Sequence, residues 1–333
     1  MTSPACLILG GTGTLAAAAE DLARSGAVVT VTCRRPELAP EHWSALGIRA
    51  LAVDRDDVRG IDELIGDGVD GLIDGQCYTP GHADDLARWS RSCGGTVMLS
   101  ARAVYVDAAG RHSNSEESPR WHGPTPESTA TMAFHGEPYA SRLGYGANKA
   151  ESERVLAARG ERVSVLRPAR IHGPSTRRVR EWPLVRAVLE GTHHLTIERA
   201  AAIGTLTSTA SISQAAAACL RRPDARVLNV GDAPAVTNLE AARILVAALT
   251  DDDPLENDDT PRTVVRPAEH GEAGAIAGAW ATGQELDLDT SRTLVGAPPD
   301  PAKTLARTAR WVRSIARRGP DGAWELPAQF DGS

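Results

Sequence analysis

A doubly wound parallel α/β sheet, with a smaller C-terminal α/β domain, is the architecture expected of this chain. Three observations lead there. Short apolar, β-branched runs alternate with helical patterns through the first half of the chain, as strands joined by crossover helices require. A glycine-rich turn, Gly10-Gly-Thr-Gly13, joins the first run to the first helix. After Pro174 the alternation loosens.

Ala5–Leu9 is a continuous apolar run and reads as the first strand. Leu15–Arg24 is alanine-rich, with Leu15, Leu22 and Ala23 at helical spacing, and Ser25-Gly26 ends it. Ala27–Cys33 is a β-branched strand, so the first 33 residues form one right-handed βαβ unit. The alternation continues with strands at 48–53, 71–73, 96–99 and 163–166, and helices at 58–65, 84–92 and 146–158. Residues 107–137 are rich in Gly, Pro, Ser, His and Glu and read as one long loop, of a length that is usually functional or disordered. Later come helices at 181–189 and 239–249, a strand at 226–230 and an acidic linker over Asp251–Asp259. The last helix, 305–315, carries Leu305, Thr308, Trp311, Val312 and Ile315 on one face.

Composition excludes several classes. The 333 residues are 42% hydrophobic and 24% charged, as in an ordinary globular protein with a full core. The net charge of −7 argues against a nucleic-acid binder. No run approaches the ~20 apolar residues of a membrane span, and no basic stretch precedes the first apolar run as in a signal peptide. The five cysteines are scattered and form no C-x-x-C pair, so no metal site or disulfide framework is expected, and a reducing cytoplasm is the expected location.

The turn Gly10-x-x-Gly13-x-x-Ala16 sits between a strand and a helix. Glycine allows the tight turn and close backbone approach, and free N–H groups at the helix start face a pyrophosphate. An NAD site usually has a carboxylate at the end of the second strand. Here that place holds Arg34-Arg35, which suit the 2′-phosphate of NADP(H). Asp54, after the third strand, is placed to accept from the adenine amino group.

Tyr145-Gly-Ala-Asn-Lys149 puts a phenol and an ammonium on one helix face. A phenol has a pKa of ~10 and is a poor acid–base catalyst at neutral pH. A neighbouring ammonium stabilises the phenolate and brings it into range. The chain has only four tyrosines, and lysine only at 149 and 303, so the spacing is not a common accident.

On these pieces the chain resembles the extended short-chain dehydrogenase/reductase family, the NAD-dependent epimerase/dehydratase type. Also matching are Leu99-Ser100, Val104-Tyr105, Lys149-Ala-Glu-Ser-Glu153, Leu166-Arg-Pro-Ala-Arg-Ile-His-Gly-Pro174 and Leu228-Asn-Val-Gly231, in the family's order. The resemblance implies a Rossmann NADP-binding domain over 1–173 and about 202–233, and a substrate domain over 174–201 and 234–330. It implies a cofactor set of Gly10, Thr12, Gly13, Thr14, Leu15, Arg34, Arg35, Asp54, Arg55, Tyr145, Lys149, Pro168 and Ile171. It gives Tyr145 the proton transfer and Lys149 the nicotinamide ribose. Tyr78, Thr79, Arg102, Arg170 and His172 are the expected substrate contacts.

One departure matters. The family places a Ser or Thr four residues before Tyr105, where this chain has Ala101. Ser100, Tyr78 or Thr79 would have to supply the missing donor, and Ser100 is taken as the third catalytic residue. The dehydratases' Asp-Glu pair is replaced by Arg102-Ala103, which argues against dehydration. Ser211-Ile-Ser213 stands where the family usually has an Asp. The expected activity is NADP-dependent carbonyl reduction or alcohol oxidation on a sugar-like or secondary-metabolite substrate. The alternatives are epimerisation without net cofactor turnover, or a non-catalytic NADP(H) sensor. A homodimer is the family's usual assembly. His193-His194 reads as a surface or pocket-lining turn, His112, His122 and His135 lie in the long loop that covers the substrate in relatives, where one of them is a candidate proton donor, and Trp121 and Trp182 read as pocket or core.

Overall fold

The computed structural model describes residues 3–250, 263–280 and 282–330; the acidic linker expected at Asp251–Asp259 lies outside them. The described chain divides into two compact units. The first comprises Met1–Ala169, Thr209–Gly231 and Leu286–Pro298, and the second Arg170–Ser208, Asp232–Glu285 and Pro299–Ser333.

The first unit is a Rossmann α/β fold. Its strands are β1 (Ala5–Leu9), β2 (Val28–Cys33), β3 (Arg49–Ala52), β4 (Val69–Asp74), β5 (Cys93–Leu99), β6 (Val163–Pro168) and the strand Arg226–Val230. In space the order is Arg226–Val230, β6, β5, β4, β1, β2, β3, with every pairing parallel. The sheet order reverses direction beside β1, so the glycine turn after β1 lies at the crevice where such sheets bind ligands.

The central strands β1, β4 and β5 are buried on both faces over most of their length, which is why they read as continuous apolar runs. Leu7, Leu9, Leu72 and Met98 join one core with Ile61 and Ile65 of α2 (Val58–Ile65), Ala83, Leu86 and Trp89 of α3 (Pro80–Ser90), and Leu156 of α4 (Gly144–Arg159). Helix α1 (Ala16–Arg24) packs against the helix Thr209–Arg221, where Ser213 Oγ donates to Asp21 at 2.7 Å.

The element pattern held, with instructive differences. Helix α3 starts at Pro80, four residues before the expected Asp84, because Thr79 accepts from the His82 amide and Pro80 suits the first turn. Helices Thr209–Arg221 and Asp289–Val295 were not anticipated. In the first, Thr209, Ser211, Ile212 and Ser213, indifferent helix formers, are all buried, so packing outweighs propensity. Residues 107–137 contain no helix or extended strand, as expected of a loop, and touch the rest of the unit through short bridges at Thr131 and Thr125.

The second unit has parallel strand pairs Arg170–His172 with Leu206–Ser208, and His194–Ile197 with Val264–Pro267. Helices Trp182–Leu189, Asn238–Thr250 and Pro301–Ile315 close its core around Val185, Leu195, Leu245, Leu305, Ala309 and Val312. Leu305, Thr308 and Val312 are buried on the expected face of the last helix. No helix among the described residues is long and apolar enough to cross a membrane.

Candidate active site

The glycine turn is built as an anion site requires. Gly10 has φ +75°, a conformation that side-chain-bearing residues rarely adopt. At Gly11 a Cβ would stand 2.7 Å from Val31 Cγ1, so only glycine lets the turn close onto the sheet. Helix α1 follows with no side chain capping its start, although the Ala16 amide turns back to the Gly13 carbonyl at 2.9 Å, and a helix start without a side-chain cap suits an anion. Thr12 and Thr14 are half-buried in this turn, Gly13 is buried, and Leu15 anchors the helix start in the core.

Arg34 and Arg35 stand exposed just beyond β2, and neither guanidinium forms a hydrogen bond or ion pair among the described residues. An uncapped helix start and a glycine cradle beside two arginines fit the phosphates of a dinucleotide. Asp54 is exposed, and its carboxylate accepts from the Asp56 amide at 3.0 Å, as a turn residue does. Arg55 corrects the expectation. It is buried, with Nε on Asp74 at 2.9 Å, Nη2 on the His82 carbonyl at 2.8 Å, and its guanidinium 4.4 Å over the Trp89 ring. A charge buried this deeply needs a carboxylate, and Asp74 supplies it.

Tyr145 and Lys149 lie one turn apart at the start of α4. Tyr145 is 37% exposed, and Lys149 is 1% exposed. The Lys149 ammonium donates to the Leu99 carbonyl at 2.7 Å, at the end of β5. Burial pulls it below the ordinary lysine value, opposed by the nearby Cys77 thiol and the Asp74 and Glu153 carboxylates. Lys149 Nζ also sits 4.6 Å from the Tyr78 ring centroid, and Tyr78 stacks on Tyr139 at 5.4 Å. Burial, with Asp74 beside it, pushes the Tyr78 phenol up, so that hydroxyl stays protonated and able to donate. Tyr139, from the far end of the long loop, carries no pattern by which sequence alone would find it.

Ser100 does not fill the catalytic gap left at Ala101. Its hydroxyl donates to Glu153 inside a buried network. Glu153 also holds Arg167, whose Nη1 donates to Tyr105 Oη at 3.0 Å and to the Glu127 carbonyl at 2.9 Å. Tyr105 in turn donates to Asn229 at 2.6 Å, and burial pushes its phenol up to about 12. The buried carboxylate needs donors on this side, which turns Ser100 inward. Thr79, also expected to meet substrate, spends its hydroxyl as the cap of α3.

Arg102 is half-buried in a single 3-10 turn after β5, and Pro168 is buried at the end of β6. In the second unit Ile171 is half-buried. Arg170 Nη1 donates to the Ala279 carbonyl at 2.6 Å. His172 is fully buried there, between Thr308 Oγ1 at 2.8 Å and Asp232 at 3.1 Å, with Asp232 also accepting from Ser208 and Thr304. These bonds use both ring nitrogens, so His172 is a framework residue and not a substrate contact. His122, His135, His193 and His194 are exposed.

No family model and no curated protein matches the chain in sequence. Solved structures match it in fold. They include MoeE5 in complex with UDP-glucose and NAD, at 19% identity, covering 93% of this chain and 98% of that one, with a TM-score of 0.61. A UDP-galactose 4-epimerase matches at 19% identity over 93% of this chain and 99% of that one, TM-score 0.63. The dTDP-glucose 4,6-dehydratase from Bacillus anthracis, solved with NAD, matches at 12% identity over 94% and 97%, TM-score 0.67. The chain therefore has the fold of these epimerases and dehydratases over nearly its full length.

Proposed function

We propose that this protein is an oxidoreductase of the extended short-chain dehydrogenase/reductase type that uses NADP(H). The first unit holds the dinucleotide and the second holds a small-molecule substrate. The observation that carries the reading is the buried Lys149 ammonium, fixed on the Leu99 carbonyl one helical turn from Tyr145. Gly10, Thr12, Gly13 and the start of α1 would take the pyrophosphate, and Arg34 and Arg35 the 2′-phosphate. Bound nicotinamide supplies hydride exchange with a carbonyl or alcohol carbon. Tyr145 passes the proton to or from the substrate oxygen. Lys149, kept dry by burial, acts on the Tyr145 phenol more strongly than a solvated lysine would. Tyr78, with its phenol held neutral, is the available donor to the substrate oxygen in place of the hydroxyl missing at Ala101.

One observation favours a second reading, a non-catalytic NADP(H)-binding protein: Ala101 has no hydroxyl and that of Ser100 is spent on Glu153. Epimerisation, the activity named for one fold neighbour, stays within the first reading, with the hydride returned to the same substrate.

Replacing Tyr145 with Phe separates the readings. In the enzyme, turnover of a carbonyl substrate falls ~10²-fold or more while NADPH affinity stays nearly unchanged. Activity that survives the substitution would remove Tyr145 from the mechanism.

A further inference from the structure

Lys149 is 1% exposed, yet it stands one helical turn from Tyr145, which is 37% exposed. A lysine so near solvent ordinarily extends its ammonium into water. Here an aromatic pair covers it. The Tyr78 ring centroid lies 4.6 Å from Lys149 Nζ, and Tyr139 stacks on Tyr78 with the ring planes 6° apart.

The two rings come from different parts of the first unit. Tyr78 follows β4, between the fully buried Cys77 and Thr79, the cap of α3. Tyr139 lies in the turn before α4. Asn148 Nδ2 of α4 donates to the Glu137 carbonyl at 2.6 Å, and the Ser141 amide donates to the Pro138 carbonyl at 2.9 Å. The Pro138 carbonyl packs so closely on Gly144 that a Cβ there would collide with it. The backbone on both sides of Tyr139 is thus fixed to the helix that carries Lys149. The Tyr139 residue is nonetheless 45% exposed, and neither its hydroxyl nor that of Tyr78 forms a hydrogen bond among the described residues. What Tyr139 contributes is therefore its ring face.

We propose that Tyr139 is a positioning residue, whose ring holds Tyr78 over Lys149 and keeps water from the ammonium. Burial is what pulls Lys149 below the ordinary lysine value, so the cover sets how strongly this ammonium acts on the Tyr145 phenol. The consequence for turnover rests on the oxidoreductase reading; the cover itself does not.

The chain has lysine only at 149 and 303, so acetylation of the folded protein by an N-hydroxysuccinimide ester, read by mass spectrometry, follows Lys149 against the exposed Lys303. In the wild type Lys149 should react far more slowly than Lys303. Tyr139→Ala should speed Lys149 by about 3- to 10-fold, the range by which loss of one aromatic pair shifts a local opening equilibrium. Tyr139→Phe keeps the ring and should leave Lys149 at the wild-type rate. Thiol labelling of Cys219, buried in the helix Thr209–Arg221, reports general loosening and should not change. In alcohol oxidation, Tyr139→Ala should move the rise of rate with pH to higher pH, because a solvated ammonium stabilises the Tyr145 phenolate less, and Tyr139→Phe should not. Lys149 as reactive as Lys303 in the wild type, no acceleration in Tyr139→Ala, equal acceleration of Cys219, or an unmoved pH profile would each overturn the proposal. The labelling needs neither cofactor nor substrate, so failure of the cover and failure of the oxidoreductase reading, which Tyr145→Phe tests, are told apart.

Discussion

Arg34 and Arg55 show how two arginines near one sheet edge divide. Arg34 and its neighbour Arg35 follow β2 into solvent, and their guanidiniums have no hydrogen-bond or ion-pair partner among the described residues. Arg55 folds inward onto Asp74 and Trp89. Replacing Arg34 and Arg35 together with Ala should weaken NADPH binding by about 10- to 100-fold, leave NADH binding nearly unchanged, and leave stability unchanged. Tryptophan-fluorescence titration with both cofactors reads this, and equal loss for both would remove the 2′-phosphate argument. The Glu153–Arg167 pair is of the opposite kind, with 7% and 6% of the side chains exposed. Glu153→Ala leaves Arg167 buried and unpaired, and should cost about 3–5 kcal/mol in urea denaturation. Adding Arg167→Met should recover part of that loss. Strictly additive losses in the double-mutant cycle would mean that the two side chains do not act as a pair.

The long loop after β5 owes its shape to one carboxylate. Asp107 accepts from the amides of Ala109 and Arg111 at 2.9 Å and Arg120 at 2.8 Å, and from Arg111 Nε at 2.8 Å. Desolvation opposes its charge, but the Arg120 and Arg111 amides and the Arg111 guanidinium outweigh it and hold the carboxyl well below the usual carboxylate range. Because the folded value is depressed, the stabilisation is present at neutral pH and is lost as pH falls below the ordinary carboxylate value of ~3.9. Asp107→Asn should therefore expose residues 107–120 to limited proteolysis at pH 7, while the wild-type loop resists until the solution is strongly acidic. Equal cleavage rates at pH 7 would show that the loop is held elsewhere. Loop composition was legible from the sequence, but this convergence of donors across 13 residues was not, because no periodicity encodes it.

The two units rest on separate cores, one between the seven-stranded sheet and its helices, the other among three helices and short strand pairs. The proposed cofactor residues of the glycine turn, Arg34–Arg35 and Tyr145–Lys149 all belong to the first. Saturating NADPH should thus raise thermal stability through binding to the native state alone, by about 2.7 kcal/mol at 100 times Kd. The shift should follow the logarithm of NADPH concentration, and equal concentrations of NADH should give a smaller one. No shift with either would mean that the glycine turn holds no dinucleotide.

The architecture was readable because it is written locally. Apolar runs of strand length, the glycine turn and the Tyr-x-x-x-Lys spacing are short-range patterns, and each element they imply in the first unit is present. The roles of single polar side chains were not readable, because they depend on partners far along the chain. Ser100 finds Glu153 53 residues away, His172 finds Thr308 136 residues away, and Tyr105 finds Asn229 124 residues away. A hydroxyl or imidazole meets its hydrogen-bonding needs with whatever the fold brings within about 3 Å, and that choice is made only when the elements pack.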